Sequence, residues 1–158
     1  MSKDEKLSAI FNRVSNRHNL IKKMDEQNYK FMTENTFLEV HCIDYIEKIQ
    51  DPNVTKLSKA LRVTRGAISK TTKRLVASRA ISKYQKAENK KEIYYKLTDK
   101  GKEIYLEHEA MHRTQMERDV TFFSQLSEEE KNQMIDLLNK IYGEISKELK
   151  VMGLDNYI

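Results

Sequence analysis

With a single proline and four glycines among 158 residues, the chain has little of the material from which flexible linkers are built. That scarcity argues against a string of small domains and favours long, regular elements. There is one cysteine, Cys42, so an internal disulfide is excluded. No apolar run approaches the roughly 20 residues that span a bilayer, which excludes a transmembrane helix. The start, MSKDEKLSAIF, lacks the apolar core and small-residue cleavage site of a secretory signal, so the expected location is cytoplasmic. A chain of this length buries an adequate core without metal or disulfide.

Acidic residues are scarce in one region. Residues 51–100 carry 14 basic and 4 acidic side chains, whereas residues 1–50 carry 8 of each and residues 101–158 carry 7 and 12. The net charges are therefore 0, +10 and −5 along the chain. A basic middle between neutral and acidic flanks is the footprint of a protein that presents one part to phosphate.

Apolar residues mostly recur at helical spacing, so the chain is expected to be mainly α. Leu7, Ile10, Phe11, Val14, Ile21 and Met24 form a stripe suited to packing against another long helix. Polar residues 25–36 should break it, and a second helix should cover 36–49, stopping at QDPN because Pro52 disfavours helical geometry at Asp51. Two short helices, 54–61 and 64–78, follow with only Arg62 and Val63 between them, and Thr64 is placed to cap the second. Residues 81–97 carry the strand formers Ile81, Tyr84, Ile93, Tyr94, Tyr95 and Leu97 around a polar AENKK, which reads as a two-stranded hairpin with a central turn. A long helix should run from Thr98 to about Gln125. The last should open with a capping box, Ser127 with Glu130, and bear Met134, Leu137, Leu138, Ile141, Ile145 and Leu149 on its apolar face.

Two tightly joined helices followed by a basic hairpin form a winged helix-turn-helix, in which a recognition helix enters the major groove of double-stranded DNA. In TRGAISKTTKRL, Ala67, Ile68, Thr71 and Leu75 are assigned to the supporting core. Thr64, Arg65, Ser69, Lys70, Thr72, Lys73 and Arg74 are assigned to DNA, with Lys90 and Lys91 of the wing. Arg65 has the geometry to donate two parallel hydrogen bonds to guanine, while the lysines neutralise phosphates. Any one such charge is ordinarily a solvated side chain; the cluster carries the signal.

At NVTKLSKALRVTRGAISKTTKRLVASRAI (53–81) and the wing-like KYQKAENKKEIYYKLTDKGKEIY (83–105), with two helices before and two after, the chain resembles the MarR family of bacterial transcriptional regulators. The resemblance implies one domain over 1–158, with 53–98 as the DNA-binding lobe and 1–35 and 126–158 as dimerisation helices. It further implies a homodimer that represses transcription from a pseudo-palindromic operator. Two departures stand out. Ser78-Arg79-Ala80 occupies the place where members often carry glycine, and Glu88-Asn89-Lys90 replaces the usual Asp-x-Arg turn of the wing.

The segment HEAMH, residues 108–112, fits the H-E-x-x-H pattern of zinc metalloproteases. A protease also needs a third ligand, an open position for water and a cleft, and RTQMERD (113–119) offers no continuation of the motif. The metal-sensing branch of the resembled family supplies a different context, with a histidine before the helix-turn-helix and an H-x-x-x-H pair after the wing. His41, His108 and His112 match those places, and the branch implies zinc with a carboxylate from Asp25, Glu26 or Glu34; Glu39, Cys42 and Glu107 are neighbours for an alternative site. A metal there would set the angle between the DNA-reading lobe and the dimerisation helices. Without that context, both histidines of the pair read rather as metal-free core or interface residues. Two other switches enter the comparison: a small aromatic effector against Tyr45, Met111 and Met116, and oxidation of Cys42, which as a lone cysteine on an apolar helix reads rather as a small buried hydrophobe.

Overall fold

A computed structural model of the chain describes residues 1–153. The element order is α1 (Lys3–Asn28), α2 (Lys30–Glu34), α3 (Phe37–Lys48), α4 (Val54–Leu61), α5 (Arg65–Ala77), β1 (Ile81–Lys86), β2 (Asn89–Leu97), α6 (Asp99–Phe123) and α7 (Glu128–Val151). Among the described residues the protein is helical except for one antiparallel hairpin, as the periodicity predicts.

Helix starts follow local chemistry. Reciprocal capping boxes join Ser2 with Glu5, Thr36 with Glu39 and Ser127 with Glu130, each satisfying amide donors that a helix start leaves free. Asn53, Thr64 and Thr98 cap α4, α5 and α6 through single side-chain acceptors. Between α4 and α5 the chain turns at Arg62, whose left-handed backbone (φ 54) ends α4 without a glycine. The same occurs after α5. Arg79 takes φ 61 and Ala80 N donates to Leu75 O at 2.9 Å, so the turn usually given to glycine is made by an arginine.

The core lies in the middle of the chain. Val40, Cys42, Ile43 and Ile46 of α3, Leu57 of α4, Ile68 and Leu75 of α5, Ile81, Tyr95 and Leu97 of the hairpin, and Ile104 and Met111 of α6 close on one another, with Phe31 of α2 completing the cluster. Gly101 lets α6 start against the hairpin's base, because a Cβ there would stand 2.0 Å from Ala80 O. That carbonyl accepts both the amide and the hydroxyl of Thr98, at 3.1 and 3.0 Å.

The two ends are different. Neither α1 nor α7 has a buried residue, and the sequence's apolar stripes stand in solvent: Leu7 is 65 % exposed, Val14 61 % and Leu137 58 %. Helix α1 is tied to α6 by polar contacts, chiefly the bidentate pair of Arg118 with Asp25 at 2.7 and 3.1 Å. Phe123, Leu126, Met134, Ile135 and Leu138 line an apolar cleft of about 290 Å³ beside the stem of Lys131 where α6 meets α7.

The hairpin departs from expectation at its tip. Its turn is Ala87-Glu88, and Asn89, Lys90 and Lys91 already belong to β2. Asn89 Oδ1 accepts the amides of Lys91 and Glu92 at 3.2 and 3.3 Å, which holds the strand's first residues in place.

Candidate nucleic-acid interface

The recognition helix α5 presents two faces. Ile68, Thr71 and Leu75 point inward, and Ala67 is half-buried, as assigned from the sequence. Thr72 corrects the reading. It is 1 % exposed and its hydroxyl donates to Ile68 O at 3.0 Å, so it belongs to the core and is out of reach of a duplex. The physical reason is that α5 is covered along a wider arc than a simple stripe, by both α3 and α4, and a threonine hydroxyl buries readily by bonding back to its own helix.

The remaining positions fall into two groups. Arg65, Lys70 and Lys73 are exposed, and Ser69 is half-buried beside them. Thr64 is exposed at the helix start, where its oxygen accepts Ala67 N at 3.2 Å; that oxygen is thus already used as a cap. Arg74 is diverted. Its Nε lies 3.0 Å from Oε1 of Glu39, a carboxylate 6 % exposed at the start of α3. Arg74 therefore fastens the recognition helix to the core. The pairing was hidden in the sequence because the two residues are 35 positions apart.

The wing places Lys90 and Lys91, both exposed, at the start of β2. The exposed basic residues are thus Arg65, Lys70 and Lys73 on α5 and Lys90 and Lys91 near the hairpin tip, with a helix start and a β-ribbon both available for phosphate.

A second cluster lies between α3 and α6. The rings of His41 and His108 meet edge to face with centroids 5.3 Å apart, and those of His108 and His112 at 4.3 Å, with Nε2 to Nε2 at 2.9 Å. The structure thus brings together the three histidines singled out from the sequence. Phe37 lies 4.1 Å from the ring of His41 and Phe31 6.0 Å from that of His108. Burial pushes the pKa of His108 down to about 4, helped by its two histidine neighbours and opposed by Asp44, and burial lowers that of His41 as well. Burial thus favours the neutral imidazole in both, which is the form that binds a metal.

The donor atoms do not complete a metal site. Among the described residues no group of three or more His, Cys, Asp or Glu side chains is arranged to hold an ion. The nitrogens of His108 and His112 approach one another, while Nδ1 of buried His108 has no hydrogen-bond partner among the described residues and stands 3.9 Å from Asp44 Oδ1. Asp25 is held by Arg118, and Glu34 pairs with Lys30 at 3.4 Å. Glu26 lies close enough to His41 for its charge to oppose the lowering of that pKa. Glu109, the candidate protease base, is 3.1 Å from Lys48 Nζ, and the same ammonium is 2.8 Å from Asp44. An ion-paired glutamate is a poor general base, and Glu109 is held in a polar network with Lys48 and Asp44.

The remaining effector candidates separate cleanly. Met111 is 2 % exposed in the core, Met116 is 67 % exposed, and Tyr45 packs against the core, so the three do not line one pocket. A polar cleft of about 390 Å³ opens instead between α2, the end of α5 and the start of α6, with Lys30, Phe31, Glu34, Ser78, Lys100 and Glu103 among its walls. Cys42 is fully buried, and burial together with the charge of Glu39 pushes its thiol up to about 12, which leaves no thiolate for a redox switch.

Comparison with known proteins places this geometry. The model of the MarR family matches residues 36–93, the span from the start of α3 into β2. The transcriptional regulator PchR of Bacillus subtilis is 28 % identical over 109 residues, which is 69 % of this chain and 64 % of PchR. The chain spans 54 % to 64 % of the length of the curated relatives it matches. Among solved structures, Streptococcus pneumoniae FabT in complex with DNA superposes with a TM-score of 0.66 at 26 % identity, covering 91 % of this chain and 95 % of FabT. MepR, a transcription regulator of the Staphylococcus aureus multidrug efflux pump MepA, gives 0.61 at 25 % identity, covering 87 % of this chain and 97 % of MepR. The curated relatives are described as helix-turn-helix transcriptional regulators. Among the described residues no helix is long and apolar enough to cross a membrane.

Proposed function

We propose, from the premise that this chain carries a MarR-family winged helix-turn-helix domain, that it regulates transcription by binding double-stranded DNA sequence-specifically. The observation that carries the reading is the exposed basic face of α5 together with the exposed lysines of the wing, on a chain whose middle third has a net charge of +10. Arg65 reads a base edge from the first turn of α5, and Lys70, Lys73, Lys90 and Lys91 neutralise phosphates. The regulator acts as a cytoplasmic homodimer and represses by occupying a pseudo-palindromic operator. The exposed apolar stripes of α1 and α7 support dimerisation, since contiguous apolar faces of this kind mark association surfaces and these lie outside the DNA-binding lobe. Residues 1–35 and 126–158 supply that interface; of the latter span, 154–158 lie outside the described residues.

The test is a salt titration on a duplex enriched from a random library. Binding should weaken steeply as salt rises, and replacing Lys73 with methionine should lower the slope of log K against log salt by about 0.9. Arg65→Ala should cost about 1–3 kcal/mol on the enriched duplex and little on a scrambled one. Binding that is indifferent to salt and sequence refutes the reading.

The shared location of His41, His108 and His112 favours a second reading, in which a metal ion such as zinc modulates DNA binding. Elemental analysis of purified protein, with DNA binding measured before and after chelation, decides it. His108→Ala should lower zinc affinity if the cluster binds metal; an unchanged affinity removes this reading and leaves the histidines as packing.

A further inference from the structure

The corner between α3 and α4 grips the wing. Asp51 has a left-handed backbone, φ 50, directly before Pro52, a conformation disfavoured by its own Cβ and by the proline that follows. The strained backbone aims its carboxylate at β1. Oδ1 accepts from the hydroxyl of Tyr84 at 3.0 Å and Oδ2 from Nζ of Lys86 at 2.6 Å. Lys86 Nζ also lies 5.5 Å from the ring centroid of Tyr94, and the rings of Tyr84 and Tyr94, which face each other across the hairpin, are 5.4 Å apart. The next two residues hold β2: Pro52 O accepts Tyr95 N at 3.0 Å and Asn53 donates to Glu92 at 3.1 Å.

The grip falls where the hairpin's own pairing is weakest. Register shifts between Tyr84 and Lys86, so Lys86 pairs with Asn89 across an irregular ladder. A hairpin bulged there would set its own tip loosely, and Lys90 and Lys91 lie within the irregular stretch of β2, between Asn89 and Tyr94. The corner runs directly into α4, which packs on α5, so whatever fixes the wing to Asp51 also fixes it to the recognition helix.

We propose that Asp51 is a positioning residue for DNA recognition, whose carboxylate latches Tyr84 and Lys86 and so sets the pitch of the wing relative to α5. The inference rests on the DNA-binding reading above. It makes a prediction opposite in sign to simple electrostatics: removing an acidic group from a basic lobe should tighten binding to a polyanion, whereas releasing the latch loosens it.

The experiment uses the full chain and a duplex enriched by it from a random-sequence library, with a scrambled duplex as reference. Asp51→Asn keeps the side chain's size and tolerates a left-handed backbone. It should bind the enriched duplex about tenfold more weakly, on the scale of one lost charged hydrogen bond, while binding the scrambled duplex as well as before or better. Tyr84→Phe should weaken enriched-duplex binding in the same direction, and less than additively with Asp51→Asn. Lys86→Met should leave the salt slope unchanged because its charge is already paired, whereas Lys90→Met should lower the slope by about 0.9. Equal or tighter binding of the enriched duplex by Asp51→Asn overturns the proposal, as does a salt slope that Lys86→Met reduces as much as Lys90→Met. Failure of the natural chain to enrich any duplex overturns the DNA-binding reading itself, and the latch falls with it.

Discussion

Replacing Gly101 with alanine sets two effects of opposite sign against each other. In an isolated helix the change would help, since alanine is favoured over glycine by about 1 kcal/mol. Here the new Cβ would stand 2.0 Å from Ala80 O and 3.1 Å from Ala80 C. Neither atom can swing aside, because both belong to a backbone whose carbonyl is held by Thr98 and whose own side chain is fully buried. The start of α6 must therefore move away from the hairpin by about 1 Å or more, opening the contact of Leu97 and Ile104 with the core. Overpacking of this kind costs about 1–3 kcal/mol or more, and against a backbone atom the upper end applies. After subtracting the helix preference, a net loss of about 2 kcal/mol remains. For a chain of this size that lowers the melting temperature by about 4–8 °C, followed by circular dichroism at fixed chain concentration. Gly66→Ala is the matched control. Its Cβ would meet only Thr64 Oγ1 at 3.9 Å, an ordinary contact, so that variant should melt at or slightly above the natural chain. A Gly101→Ala protein that melts as high as the natural chain refutes the close-approach argument.

The buried thiol of Cys42, pushed up to about 12, should resist iodoacetamide at pH 8 in the folded protein and react once denatured; rapid labelling of native protein would contradict its burial. Arg79→Gly should stabilise the chain by about 1 kcal/mol, because glycine adopts the left-handed turn after α5 without the Cβ penalty, and an unchanged or lower chemical denaturation midpoint would count against that strain. Arg74→Met should destabilise the protein by about 1 kcal/mol by leaving the carboxylate of Glu39 buried without its cation; a double cycle with Glu39→Gln that shows no coupling would place Arg74 back among solvated side chains.

Much of the fold was legible because its signals are local. Thr36, Thr64, Thr98 and Ser127 sit where helix starts need an acceptor, and the sequence alone marks those boundaries to within a residue or two. The hairpin was legible from its β-branched and aromatic residues, although its turn came out shorter, since Asn89 caps the strand from within. The apolar stripes of α1 and α7 were also legible, but as faces seeking a partner and not as core. Periodicity reports an apolar face and does not say which molecule covers it.

What the sequence could not decide were choices between neighbours on one helix and pairings between distant residues. Thr71 and Thr72 look alike in the chain, and only the arc of α5 covered by α3 and α4 buries both. Arg74 reads as a phosphate contact until Glu39 is found beside it, and Asp51 as a turn residue until Tyr84 and Lys86 close on it. By itself, then, the sequence determined the order of helices and the basic middle, and offered the meeting of His41, His108 and His112 only through a resemblance; tertiary structure decided which charges are held by a partner within the fold. The reason is physical: propensity and capping act over three or four residues, whereas a charge is spent or free according to what folding brings within about 3 Å of it.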